Sequence, residues 1–167
     1  PYRGGLATFN ERLARQLISE CKDVDIRTFK LQYPGFLFPG KTQFTDSPPP
    51  DDIKIVRELN SINPLNWIKT GIRIKRERAD ILLVRYWIPF LAPCLGTIAR
   101  IVRSNKYTVI VSVIDNVIPH EKRPGDSFLT RFFIKSIDGA VVLSESVKDE
   151  VEDFRNKIRG RELPPLV

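Results

Sequence analysis

The sequence predicts an α/β fold, a Rossmann-like parallel sheet flanked by helices, and three observations lead there. Strand-like and helix-like segments alternate through most of the chain. The strand-like segments are mainly continuous apolar runs, as expected of strands covered on both faces. The helix-like segments carry apolar residues at helical spacing with charge between them. With 167 residues and 42% apolar composition, there is enough chain for one domain with a proper core, burying roughly 70% of its unfolded surface.

The elements follow in order. Pro1-Tyr2-Arg3-Gly4-Gly5 reads as the end of a strand-to-helix loop, which implies a first strand ahead of Tyr2. Leu6, Phe9, Leu13 and Leu17 then recur at helical spacing, with Asn10, Glu11, Arg12, Arg15 and Gln16 between them. Residues 24–31 alternate like a half-buried strand, and residues 33–50 collect Pro, Gly, Ser and Asp into a long loop. A short strand is expected at 53–56. Asn63-Pro64 opens a helix bearing Leu65, Ile68 and Ile72, together with basic Lys69, Arg73, Lys75, Arg76 and Arg78.

Residues 81–84 form a continuous apolar strand. An apolar helix over 90–103 follows Pro89, and a strand over 107–114 comes next. Phe128, Leu129, Phe132 and Phe133 mark a further helix, 139–143 a strand, and Ser144 caps a helix carrying Val147, Val151, Phe154 and Ile158. The domain expected is 1–158. Residues 159–167, Arg159-Gly160-Arg161-Glu162-Leu163-Pro164-Pro165-Leu166-Val167, have the Pro-rich character of a linker.

Composition narrows the chemistry. A net charge of +7 favours anionic partners, whether phosphorylated substrates, nucleic acid or an acidic membrane surface. No nucleic-acid-binding motif accompanies the charge, so nucleic acid is not the expected partner. The two cysteines, Cys21 and Cys94, lack metal-ligand spacing and fit reduced thiols in a cytosolic setting. The uncharged run 86–99 contains two prolines and is shorter than the roughly 18 to 20 residues a membrane span requires.

Several motifs carry chemical meaning. Gly35-Phe36-Leu37-Phe38-Pro39-Gly40-Lys41-Thr42 satisfies the spacing of a phosphate-binding P-loop. Its chemistry argues otherwise: Pro39 removes an N–H donor, three bulky residues crowd the loop, and a proline triplet replaces the helix that should follow Thr42. Gly4-Gly5 serves either a tight turn or a phosphate approaching a helix N-terminus. The loop Asp115-Asn116-Val117-Ile118-Pro119-His120-Glu121-Lys122-Arg123-Pro124-Gly125-Asp126 holds the single histidine. It follows a central strand, and ligands of open parallel sheets bind beyond the carboxyl ends of strands.

His120 is therefore a candidate hydrogen-bond donor or acid/base near pH 7, against the alternative of an exposed loop histidine. Asp115 and Asn116 either cap the strand end or touch substrate. Lys122 and Arg123 either bind phosphate or stay solvated. The basic face of Arg73, Lys75, Arg76 and Arg78 is a solvated surface or a contact for anionic lipid, and Trp67 and Trp87 are read as core.

Taken together, Pro1-Tyr2-Arg3-Gly4-Gly5-Leu6-Ala7, Phe38-Pro39-Gly40-Lys41-Thr42-Gln43-Phe44, Leu59-Asn60-Ser61-Ile62-Asn63-Pro64, Arg85-Tyr86-Trp87, the loop from Asp115 to Glu121, and Leu143-Ser144-Glu145 resemble an ordered set of segments. They are similar to the N-terminal half of bacterial group-1 glycosyltransferases, the retaining GT-B family with glycogen-synthase-like members. The resemblance implies an acceptor-binding half whose partner is its own C-terminal donor-binding domain. It also implies transfer of a sugar from a nucleotide-sugar donor to a glycan or lipid-linked acceptor, without a tightly bound cofactor.

By that resemblance Gly4 and Gly5 approach the donor diphosphate, and His120, the catalytic candidate, sits near the transferred sugar. The substrate-binding candidates are Gly4, Gly5, Arg85, Asp115, Asn116, Lys122 and Arg123, and no metal ligand is expected. The expected setting is cytoplasmic, either free or peripheral at the inner face of the cell membrane. Two rival readings are a P-loop-type nucleotide-binding protein using 35–42 and a non-catalytic basic binding module.

Overall fold

The computed structural model describes residues 4–35, 48–116 and 124–156, with 155 and 156 described by backbone alone. It is α/β, and its strand pairings are all parallel, as the alternation and apolar strands predict. The strands fall into two small sheets, one of order β1-β2 and one of order β3-β4-β5. The chain divides into two compact units, 1–63 and 64–167, and each sheet lies within one of them.

In the first unit, α1 (Gly5–Ser19) leads to β1 (Asp25–Leu31) and β2 (Lys54–Asn60). Gly4 caps α1 with φ +89°, a left-handed conformation that glycine adopts without strain. Its carbonyl accepts from the amides of Ala7 and Thr8. β1 and β2 run in register from Asp25↔Lys54 to Leu31↔Asn60 with irregularities around Phe29. The core of this unit is small: Ala14, Phe29, Ile53 and Leu59 are the buried hydrophobic side chains among its described residues. β2 extends past the expected 53–56, because Glu58 and Leu59 turn inward and Glu58 meets the guanidinium of Arg27 at 3.0 Å.

The second unit opens with α2 (Pro64–Glu77), whose proline occupies the first turn where its missing N–H costs nothing. β3 (Ile81–Tyr86) follows, then a 3-10 turn over Pro89–Leu91 and α3 (Ala92–Arg103). β4 (Val109–Ile114), α4 (Asp126–Ile134), β5 (Gly139–Val142) and α5 (Glu145–Asn156) complete it. α3 packs against both α2 and α4 and lies over β3 and β4. Its buried face is Ala92, Cys94, Leu95, Gly96, Ile98, Ala99 and Val102, in which the small Ala92, Gly96 and Ala99 alternate with larger aliphatic residues.

β4 is the middle strand, paired with β3 from Ile81↔Val109 to Tyr86↔Ile114 and with β5 from Val111↔Gly139 to Ile114↔Val142. Tyr107, included in the expected strand, precedes it. Asn105 turns the chain there by accepting from the amides of Tyr107 and Thr108 through its side-chain oxygen. Ser144 caps α5 as expected, its hydroxyl oxygen accepting from the Val147 amide at 3.3 Å. Among the described residues no helix is long and apolar enough to cross a membrane.

Candidate functional site

Parallel strands place all three carboxyl ends of β3, β4 and β5 on one edge of the sheet. Arg85 is the penultimate residue of β3, and Asp115 is the first residue beyond β4. The structure brings these two predicted residues together. The Arg85 guanidinium donates from Nε to Asp115 Oδ2 at 2.7 Å, and its Nη2 donates to the other carboxylate oxygen. This two-pronged, charge-assisted geometry orients both partners more firmly than a single bond. Both side chains are mostly shielded, at 11% and 17% exposure, so solvent weakens the pair less than it would a surface bridge.

The backbone reinforces the contact. Asp115 donates its own amide to the Tyr86 carbonyl at 2.9 Å, which extends the β3–β4 ladder by one bond. Asp115 is thus held by side chain and main chain where the histidine-bearing loop departs, and Asn116 is exposed beside it. Of the two roles open to Asp115, this geometry serves the strand end directly. His120, Lys122 and Arg123 lie outside the described residues, as do positions 36–42 of the P-loop-like segment and the linker 159–167. The loop returns at Gly125, whose φ of +98° starts α4.

Beneath this edge lies a support that the sequence reading missed. The Tyr86 hydroxyl shares a 3.0 Å hydrogen bond with Thr130 Oγ1 on α4, and the Tyr86 ring stacks on Phe133 with centroids 4.3 Å apart. Tyr86 is almost fully buried. Burial pushes its phenol above the ordinary tyrosine value, and the hydrogen bond to Thr130 only partly opposes this, while Asp126 adds to it. The phenol therefore stays neutral and holds α4 to β3. Tyr86 stood in a noticed segment, but nothing in a single sequence pairs it with Thr130.

Gly4 and Gly5 belong to the first unit and are exposed. A side chain added at either would meet nothing within 4 Å, so the demand at Gly4 is for its backbone angle rather than for space. Gly5 has no such angle. Trp67 and Trp87, read as core, are half-buried. Among the described residues no cluster of His, Cys, Asp and Glu could hold a metal ion.

The amino-terminal end of the same sheet is basic. A shallow depression of about 500 Å³ there is lined by Arg100, Arg103, Ser104, Lys106 and Lys135. Arg100 donates to Ser136 Oγ at 2.9 Å and to the Phe132 carbonyl at 3.0 Å, so it holds the last turn of α4. Arg103 pairs with Asp138, whose other carboxylate oxygen accepts from the Ile110 amide at 2.9 Å. This depression lies at the end of the sheet away from Arg85 and Asp115, and the carboxyl end remains the candidate site on topological grounds. No protein-family model matches the chain, and no curated protein is significantly similar to it.

Proposed function

We propose that this chain is the acceptor-binding half of a retaining GT-B glycosyltransferase, which passes a sugar from a nucleotide-sugar donor to a glycan or lipid-linked acceptor. The observation that supports the reading best is the clasp of Arg85 on Asp115 at the carboxyl end of a parallel sheet. It anchors the start of the loop that carries His120. In this reading Arg85 and Asp115 are positioning residues. They fix the loop, and the loop presents His120 to the sugar being transferred.

The chemistry asked of His120 is modest. A hydrogen bond to the reacting sugar, or proton transfer near pH 7, contributes typically 10²- to 10⁴-fold in rate. The departing diphosphate would be stabilised mainly by backbone amides and basic side chains, with the donor half supplying most of them. The +7 net charge suits a phosphate-rich substrate and contact with an anionic membrane surface.

The test uses the complete enzyme with its nucleotide-sugar donor. His120→Ala is expected to lower kcat for transfer by at least about 100-fold, with acceptor KM changed only a few-fold. Donor hydrolysis in the absence of acceptor should fall in parallel. Transfer at the parent rate would remove His120 from the mechanism, and a complete protein that neither transfers nor hydrolyses any nucleotide sugar would end the glycosyltransferase reading.

A further inference from the structure

The basic depression at the amino-terminal end of the three-stranded sheet has no place in that mechanism. Four cationic side chains converge on it: Arg100, Arg103, Lys106 and Lys135. The two arginines are immobilised. Arg100 is bonded to Ser136 and to the Phe132 carbonyl, and its guanidinium lies 4.0 Å from the centre of the Phe132 ring. Arg103 is tied to Asp138 and to the Lys135 carbonyl. Fixed guanidinium groups have lost their side-chain freedom already, which lowers the cost of ordering them around a ligand.

The two lysines differ. Both are exposed, and among the described residues neither ammonium group is engaged by a carboxylate. Lys106 also sits at φ +56°, a left-handed position where Cβ itself is crowded against the backbone and glycine or asparagine is usual. Asn105 holds the turn in that shape, donating to the Lys75 carbonyl and to Thr108 Oγ1. The Lys106 side chain is therefore presented from a rigid turn rather than from a loose tail.

Charge alone has a simpler explanation, because basic residues at helix C-termini complement the carbonyl dipoles there. Arg100 and Arg103 fit that explanation through their bonds to α4 carbonyls. Neither lysine ammonium bonds a helix carbonyl among the described residues, so Lys106 and Lys135 are not tied down as the two arginines are. Asp138 neutralises one of the four cations, and among the described residues no carboxylate pairs with Lys106 or Lys135. A volume of about 500 Å³ exceeds a lone phosphate, and the depression is open to solvent, so part of a bound molecule would stay exposed.

We infer that this depression binds a soluble phosphate-bearing small molecule, with the phosphate held between Lys106 and Lys135 against the fixed guanidinium groups of Arg100 and Arg103. The site is separate from the Arg85–Asp115 edge and does not depend on the glycosyltransferase reading. Phosphate is favoured over carboxylate because several convergent cations match its higher charge and its greater number of oxygens.

The experiment titrates the protein with inorganic phosphate and with diphosphate, each against sodium chloride at matched ionic strength. Backbone amide resonances are followed by two-dimensional NMR. Saturable shifts are expected at Ser104, Asn105, Lys106, Lys135 and Ser136, with diphosphate the tighter ligand. The double variant Lys106→Gln, Lys135→Gln should weaken diphosphate binding by about tenfold or more. Both lysines are exposed, so the variant should keep the parent circular dichroism and Tm, which separates lost binding from lost folding.

Equal shifts in chloride, or unaltered affinity in the double variant, would overturn the site. A third arm adds phosphatidylglycerol vesicles. Binding to vesicles without saturable response to phosphate or diphosphate would also overturn the inference, by assigning the charge to a membrane surface.

Discussion

At the scale of single residues, the two cysteines show how environment decides chemistry. Cys21 is exposed and Cys94 is buried on α3, where burial pushes its thiol up to about 12. Only the thiolate reacts with alkylating reagents, so at pH 8 roughly one Cys94 thiol in ten thousand is ionised, and the reagent must also reach it. Iodoacetamide at pH 8 should modify Cys21 alone in the native protein and both thiols once it is unfolded, as read by mass spectrometry. Comparable labelling of Cys94 in the native protein would contradict the packing of α3. Composition alone indicated reduced thiols but could not rank them. Arg85 and Asp115 teach the same lesson: each was a candidate from its segment, while their pairing required knowing that β3 and β4 are neighbours in this register.

At the scale of elements, the close approach of α3 to its neighbours depends on two glycines. A Cβ built at Gly96 falls 2.6 Å from Cε1 of Phe132, whose ring is covered by the Arg100 guanidinium. A Cβ at Gly71 meets the Ile101 side chain at 3.0 to 3.2 Å, a milder crowding. Overpacking costs about 1–3 kcal/mol, whereas replacing a helical glycine by alanine gains about 1 kcal/mol in propensity. Gly96→Ala is therefore expected to lower stability by about 1–2 kcal/mol, and Gly71→Ala to come close to balance, in urea unfolding monitored by circular dichroism. A larger loss at Gly71 than at Gly96 would reverse this account of helix packing. Helix α2 shows what periodicity leaves out. Its stripe of Leu65, Ile68 and Ile72 is legible in the sequence, yet these residues are exposed, and Thr70, Gly71 and Ile74 face inward. Hydrophobicity marks a stripe, but close helix contact selects small residues, and a glycine carries no hydrophobic signal.

At the scale of the whole molecule, element order was legible and strand partnership was not. Alternation and apolar runs yield every described α-helix and strand, because both depend on local spacing, while the 3-10 turn over Pro89–Leu91 reads as part of the helix after it. Assignment of the strands to two sheets depends on which edges meet, and no local pattern encodes that. The two units differ in what holds them. The large side chains buried most completely, among them Tyr86, Leu91, Val102, Ile110, Ile114, Phe133, Ile134 and Ile137, all belong to the second unit. The first holds one parallel strand pair and one amphipathic helix, and a two-stranded sheet is marginal by itself. Its strand pair is supplemented by the partly shielded contacts of Arg27 with Asp25 and Glu58, and removing such ions from water offsets much of their attraction. Opening of the two units should therefore require different free energies. Native-state hydrogen exchange is expected to find the amides of β4 slowest, near the limit set by global unfolding. Amides of β1 and β2 should exchange through openings at least about 1–2 kcal/mol smaller, and their exchange should respond less steeply to added urea, since less surface is exposed. Equal protection and equal urea dependence in the two sheets would mean that both units open as one, and the small core around Phe29 and Leu59 would then be stronger than its burial suggests.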